Sequence, residues 1–308
     1  MVGIKAIGTY LPKGRISNLD RASVFDTDEN FIIEKIGIKS VSVKDEEDNT
    51  SDMSVKAFFD LDNQISLDKT LIDVVILVTQ NPDANIPHTS AVIHGLLELS
   101  EDCAVFDISL GCSGFVYGLS VIKAFMEANG FRHGLLFTCD PYSKILDPKD
   151  KNTSLLFGDG ATVTYLTENP VYSIGNATFG TIGKERHNLT CNRDHLYMNG
   201  RGIFNFAARY VPKDVEKVLL KNNLEKKNID KFIFHQGSKY ILDTLIKRIE
   251  LDPEKVVNDI FEYGNTVSSS IPMILKQYLN SNADNNILIS GFGVGLSWSS
   301  NILTLVKK

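Results

Sequence analysis

The stretches LIDVVILVTQN (71–81) and NIDKFIFHQGS (228–238) share an Ile-Asp step, a short apolar run and a glutamine soon after it. A second pair keeps the same distance. GLLFTCD (134–140) and NILISGFG (286–293) are branched-rich runs that end in a turn, and each is followed by another such run, ATVTYL from Ala161 and SNILTLV from Ser300. Short runs of this kind bounded by turn residues read as buried strands. Between the pairs lie helix-like stretches, SGFVYGLSVIKAFMEANG (113–130) and SSIPMILKQYLNSN (269–282), the first closed by an Asn-Gly stop. The order strand, helix, strand, strand therefore recurs after about 155 residues. It predicts two similar α/β halves, 1–166 and 167–308, packed back to back, with the ends of equivalent elements converging near a pseudo-twofold axis.

The composition suits this architecture. A chain of 308 residues, 43% hydrophobic and 23% charged, buries a substantial core without cross-links. Its start, MVGIKAIGTYLPKGRIS, lacks the order of a secretion signal, and no apolar run approaches the roughly 18 residues of a membrane span. A cytoplasmic location is expected. Cys103, Cys112, Cys139 and Cys191 show no C-x-x-C spacing and have no histidines at zinc-ligand intervals, so neither a disulfide framework nor a metal site is indicated. A net charge of −6 argues against broad binding to nucleic acid or anionic membrane. An acidic partner would need a local basic patch. PKDVEKVLLKNN offers one: Pro212 suits a first helical turn, and Lys213, Lys217 and Lys221 recur along one face, although a merely solvated face reads the same way.

One cysteine stands apart. In DISLGCSGFVYGL (107–119) a run read as a buried strand finishes at Ile108 to Leu110, and a helix-like run begins at Ser113. Cys112 is thus expected at a helix N-terminus, where unpaired N–H groups and the positive end of the dipole favour thiolate and lower the thiol pKa. Gly111 and Gly114 supply the tight turn and close approach of a nucleophile elbow. Cys139 ends a strand and Cys103 precedes one, so both read as small buried hydrophobes. A sulfur nucleophile needs partners for protons or oxyanions. His235 follows the apolar run 231–234 in the second half, and Asn265 opens the helix-like run GNTVSSSIP, where it could also serve as a cap. Three such groups at strand-to-helix junctions of a duplicated chain point to one site.

Together GCSG at Cys112, HQGS at His235, GNTVSSSIP at Asn265, GFGVGLSWSS near the C-terminus, and the opening IGTYLP with Asn18 and Asp20 resemble β-ketoacyl-acyl-carrier-protein synthase III, a condensing enzyme of the thiolase superfamily. The ordered set spans essentially the whole chain. The resemblance implies a thiolase-like duplicated fold in five layers, α/β/α/β/α, and a homodimer. It also implies a two-stage reaction in which Cys112 takes an acyl group from coenzyme A. Malonyl-acyl carrier protein then loses carbon dioxide, and the resulting enolate attacks the acyl-enzyme. His235 Nε2–H and the Asn265 amide would receive the enolate charge, and the backbone N–H groups of Cys112 and Val294 would form the oxyanion hole of acyl transfer. Acyl coenzyme A is implied as a substrate, with no permanently bound cofactor.

The same mapping places coenzyme A against Phe31, Lys35 and Lys151, where the family more often has tryptophan and two arginines; the lysines keep charge but lose the planar fork. FGDGA reads as a turn between strands. Phe292 matches an aromatic residue near the active-site entrance. Ile86 stands where a phenylalanine often limits acyl length across the dimer interface, so a longer or branched acyl group is admitted. Gly237 and Ser238 follow Gln236 where asparagine is usual, Tyr240 replaces a docking arginine, and Asn205 replaces a lysine. Arg209, Lys213, Lys217 and Lys239 remain as docking residues for the carrier protein. These departures suggest a specialised relative. A non-condensing acyltransferase, passing acyl from Cys112 to a hydroxyl or amine, and a turnover-free scaffold are the competing readings.

Overall fold

The computed structural model describes residues 1–191, 195–279 and 283–307. The first part of the chain contains β1 (Gly3–Tyr10), the two-stranded ribbon β2 (Gly14–Ser17) and β3 (Ser40–Val43), then α1 (Thr50–Ile65), β4 (Val74–Val78) and α2 (Thr89–Leu97). It continues through β5 (Ala104–Ile108), α3 (Gly114–Asn129), β6 (His133–Cys139), the single turn α4 (Lys151–Ser154) and β7 (Ala161–Thr167). The second part contains β8 (Tyr172–Ile174), β9 (Thr178–Thr181), the hairpin β10 (Leu189–Cys191) and β11 (Leu196–Met198), and α5 (Gly200–Lys221). It ends with β12 (Lys231–Phe234), α6 (Lys239–Ile249), α7 (Ser270–Leu279), β13 (Asn286–Gly293) and β14 (Ser297–Leu305).

The strand pairings repeat. β4 runs parallel to β6, β6 antiparallel to β7, and β7 antiparallel to β1. Likewise β12 runs parallel to β13, β13 antiparallel to β14, and β14 antiparallel to β8 and β9. The Ile-Asp step repeats atom for atom. Asp73 accepts the backbone N–H groups of Arg132 and His133, and Asp230 accepts those of Asn285 and Asn286. Each aspartate therefore caps the incoming end of the neighbouring parallel strand. Strand β8 pairs with both β1 and β14 and so joins the two sets of strands, among the described residues, into one ten-stranded sheet.

Five layers result, as the thiolase-like reading requires. α3 and α7 form the middle layer: α3 touches β4 and β6 on one side and β13 and β14 on the other, while α7 touches β1 and β7 and also β12 and β13. Their apolar faces, Phe115, Leu119, Ile122 and Met126 on α3 with Ile271, Ile274, Leu275 and Leu279 on α7, share one buried cluster with the strands on both sides. The helical spacing of those residues is what lets each helix bury one stripe. α1 and α2 cover the outer face of the first set of strands, and α5 covers the outer face of the second, with α6 packed on it.

Three local expectations are corrected. Pro212 does not start a helix; it sits inside α5, which begins at Gly200 and is capped by the Asn199 side chain accepting Gly202 N–H. The stripe Ile203, Phe206, Ala207, Val211, Val215 and Val218 is buried on both sides of the proline, and this packing outweighs the roughly 3 kcal/mol a mid-helix proline costs. β5 is not a fully buried strand: it lies at the edge of the sheet, and all five of its residues are half-buried. The run from Ser269 becomes a 3-10 turn, Val267–Ser269, followed by α7, and its expected end, 280–282, lies outside the described residues. No helix among the described residues is long and apolar enough to cross a membrane.

Candidate active site

Cys112 sits between the end of β5 and the start of α3, with Ser113 as the helix cap residue. The elbow is wedged between the two repeats. A Cβ on Gly293, at the end of β13, would lie 2.8 Å from Cys112 Sγ. A Cβ on Gly111 would lie 2.5 Å from Gln80 Oε1 and 2.9 Å from Val294 Cγ1. At Gly293 a side chain would press on both Cβ and Sγ of Cys112, and at Gly111 it would displace Gln80 and Val294, so the sulfur is framed by close packing between halves.

The sulfur is not the pre-formed thiolate that its place before a helix suggested. Cys112 is 4% exposed. Burial, reinforced by the nearby Asp140 carboxylate, pushes its thiol up to about 12, although the backbone N–H groups of Cys112 and Val294 act in the opposite direction by stabilising the anion. Loss of hydration and a like charge outweigh two peptide dipoles. The resting residue is a neutral thiol with two N–H donors aimed at it.

His235 follows β12 directly and is 3% exposed. Burial lowers its imidazole to about 3, opposed by the Val267 backbone, so the ring is neutral. Nδ1 lies 2.9 Å from Ser270 Oγ. The Phe292 ring stands edge-on to the imidazole, with centroids 5.6 Å apart.

Asn265 is held on a rail. Its N–H donates to Leu156 O at 2.8 Å, and its carbonyl accepts Gly158 N–H at 3.0 Å. Phe157 bridges it in parallel. Its side-chain Oδ1 accepts Val267 N–H at 2.9 Å, which is the capping contact. That bond fixes the amide, so Nδ2 faces His235 Nε2 at 3.4 Å. Capping and orientation are thus one arrangement. The FGDGA segment, read as a turn, supplies part of the rail, and buried Asp159 within it accepts from Lys44 N–H, Ser143 N–H and Ser143 Oγ.

Cys112, His235 and Asn265 line a single cavity of about 450 Å³. Phe292, Phe31, Lys35 and Lys151 line it too. Phe31, Lys35 and Lys151 also border a polar recess with Asp26, Thr27, Asp28 and Asn30. Lys151 Nζ lies 5.1 Å from the centre of the Phe31 ring and donates to Phe25 O at 3.3 Å. Val294 contributes its N–H at the sulfur. Ile86 is 87% exposed and does not line the cavity of its own chain. Arg209, Lys213 and Lys217 are exposed on α5 away from the lining. Lys239 opens α6 beside the lining residues Ser238 and Tyr240 and pairs with Glu34 at 3.5 Å and Asp243 at 3.2 Å.

Several polar neighbours escaped the reading of the sequence. Asp140, 0% exposed, accepts Gln80 N–H at 2.7 Å and Ser268 Oγ at 2.5 Å, tying the end of β6 to the Asn265 segment; burial pushes its carboxyl up to about 6. Tyr142 donates to Gln80 Oε1 at 3.1 Å, packs on Phe157 and shares the cluster of Cys112. Ser270 touches His235. The available signal was an acid straight after an apolar strand in TCDPY, and the serine run after Asn265.

The C-terminal part, 219–305, matches the family model of the 3-oxoacyl-[acyl-carrier-protein] synthase III C-terminal region, and 106–183 matches the 3-oxoacyl-[acyl-carrier-protein] synthase III model. The chain is similar to the β-ketoacyl-[acyl-carrier-protein] synthase III of Clostridium tetani, 34% identical with 98% of each chain covered. Among solved structures it resembles the synthase III of Thermus thermophilus, 31% identical, TM-score 0.92, covering 99% of this chain and 100% of that one. It also resembles the priming β-ketosynthase of the R1128 polyketide pathway, 27% identical, TM-score 0.91, covering 99% and 96%.

Proposed function

The chain belongs to the β-ketoacyl-acyl-carrier-protein synthase III family, and from that premise we propose that it is a condensing acyltransferase working through Cys112, His235 and Asn265. The Cys112 thiol loses its proton and attacks the carbonyl of an acyl coenzyme A, and the coenzyme A thiol leaves with a proton. Malonyl-acyl carrier protein then loses carbon dioxide, and the electron pair of the broken C–C bond forms a thioester enolate. Its carbon attacks the acyl-enzyme, giving β-ketoacyl-carrier protein and returning the sulfur, which regains a proton.

The observation that supports this reading is the convergence of His235 and Asn265 beside Cys112. Two nitrogens 3.4 Å apart, one of them an amide whose oxygen is already used, call for a shared acceptor, and an enolate oxygen is one. A neutral imidazole donates there without protonating the carbanion. The N–H groups of Cys112 and Val294 serve the separate oxyanion of acyl transfer. The non-condensing reading has less support, because it creates no enolate. Ser238, which stands in the stretch after Gln236 where asparagine is usual, accepts Ile241 N–H with its oxygen at the start of α6.

Phe31, Lys35 and Lys151 at the cavity and its recess are the proposed coenzyme A contacts, and Lys239 with Arg209, Lys213 and Lys217 the carrier-protein contacts. Phe292, buried and packed edge-on against His235 in the cavity lining, is proposed as an acyl-pocket residue rather than one at the entrance. The division into 1–166 with the nucleophile and 167–308 with His235 and Asn265 is supported by the repeated pairings. A cytoplasmic homodimer completes the reading: β5 offers an unpaired edge with Phe106 packed on Phe125, and the dimer would bring the exposed Ile86 of one chain to the acyl pocket of the other. Intact-mass screening against acyl coenzyme A donors, followed by malonyl-carrier protein, tests the proposal. An acyl adduct on Cys112, then carbon dioxide and a β-ketoacyl product, is expected; an adduct transferred without carbon dioxide would establish the non-condensing activity instead.

A further inference from the structure

His235 can act as a donor to the enolate only if its proton sits on Nε2, and its neutral ring holds one proton for two nitrogens. Asn265 Nδ2, fixed by the bond to Val267 N–H, presents hydrogen toward Nε2. By itself this neighbour favours a bare Nε2 that accepts, which is the wrong tautomer for the reaction. The choice is therefore made at Nδ1. There the hydroxyl of Ser270 lies 2.9 Å from the ring and also 3.0 Å from Val267 O. It has one hydrogen for two acceptors. Given to Nδ1, that hydrogen forces the ring proton to Nε2; given to Val267 O, it leaves the serine oxygen to accept from Nδ1–H.

We propose that Ser270 is the positioning residue that keeps the proton of His235 on Nε2, by donating its hydroxyl hydrogen to Nδ1 when an acceptor occupies the site. The proposal deepens the condensing reading of this site and rests on it for its catalytic consequence, though not for its effect on the ring. An anionic oxygen between Nε2 and Nδ2 rewards two convergent donors, so binding and hydroxyl rotation are coupled. Ser270→Ala removes the hydroxyl hydrogen from the Nδ1 side and leaves there the Val267 carbonyl that Ser270 Oγ contacts at 3.0 Å, an acceptor that draws the ring proton to Nδ1.

The test uses the full-length protein with ¹⁵N-labelled histidine. Ring-nitrogen correlation spectra report which nitrogen is protonated, with His235→Asn identifying the signal and a non-hydrolysable malonyl thioester analogue as the probe. With the analogue bound, wild type should carry the proton on Nε2, and Ser270→Ala should move it to Nδ1. Ser270→Thr, which keeps the hydroxyl, should restore Nε2. In parallel, Ser270→Ala should lower decarboxylation about 10²-fold or more, with Cys112 acylation changed only a few-fold and the thermal midpoint monitored. An Nε2 proton unmoved in Ser270→Ala, or an Nδ1 proton in ligand-bound wild type, overturns the proposal. If wild type shows the expected tautomer switch but releases no carbon dioxide, the positioning role stands and the condensing reading falls.

Discussion

The side-chain nitrogen of Asn265 stands 3.4 Å from Nε2 of His235, and its oxygen is turned away to cap the Val267 N–H. On the proposed mechanism this pair receives the enolate oxygen. Asn265→Ala should leave acylation of Cys112 within a few-fold of wild type and cut decarboxylation by about 10²- to 10³-fold, the usual effect of losing one oxyanion donor. Intact mass reads the first step and carbon dioxide release the second. Equal loss of both steps would place Asn265 in the acylation machinery instead.

Cys112→Ala should abolish the acyl adduct. In the wild type, alkylation of Cys112 by iodoacetamide should still be accelerating above pH 9, because burial and Asp140 hold the thiol up to about 12. A plateau near neutral pH would show that the helix dipole dominates after all. Asp140→Asn removes a carboxylate that opposes the thiolate, so its alkylation profile should move to lower pH.

His235 has a folded-state pKa of about 3 against an ordinary value of 6.5. Between those values the unfolded chain binds the proton and the folded chain does not, so stability at this residue is present above pH 6.5 and is lost as pH falls toward 3. The slope reaches about 1.4 kcal/mol per pH unit. Buried Asp140, raised to about 6, acts in the opposite sense below that pH. The comparison of urea unfolding between wild type and His235→Asn isolates the histidine: the wild type should lose stability relative to the variant as pH falls from 6.5 to 4. Parallel pH profiles would mean that the imidazole is hydrated in the folded protein.

The β5 edge predicts the assembly. Phe106→Glu places a charge on an edge strand whose ring packs against Phe125, and sedimentation should show a dimer for the wild type and a monomer for the variant. A monomeric wild type would remove the route by which Ile86 reaches a second active site.

The duplication was legible because its marks are local. Ile-Asp followed by an apolar run encodes a parallel strand with a capping carboxylate, and it does so twice, at Asp73 and Asp230. Cys112 between glycines, and His235 after a strand, were visible for the same reason: strand ends and turns are written in neighbouring residues. The sequence also named Asn265, whose cap is local to Val267.

What it did not reveal depends on residues far apart in the chain. The acidity of Cys112 is decided by how deeply the second repeat buries it and by Asp140, and neither is encoded beside the cysteine. The rail from Leu156 to Gly158, the hydroxyl of Ser270 at His235 and the proline inside α5 are likewise products of tertiary packing. Local sequence determines which elements form and where they turn. Hydration, field and proton position are set by whatever the completed fold places within a few ångströms, and only the tertiary structure decides that.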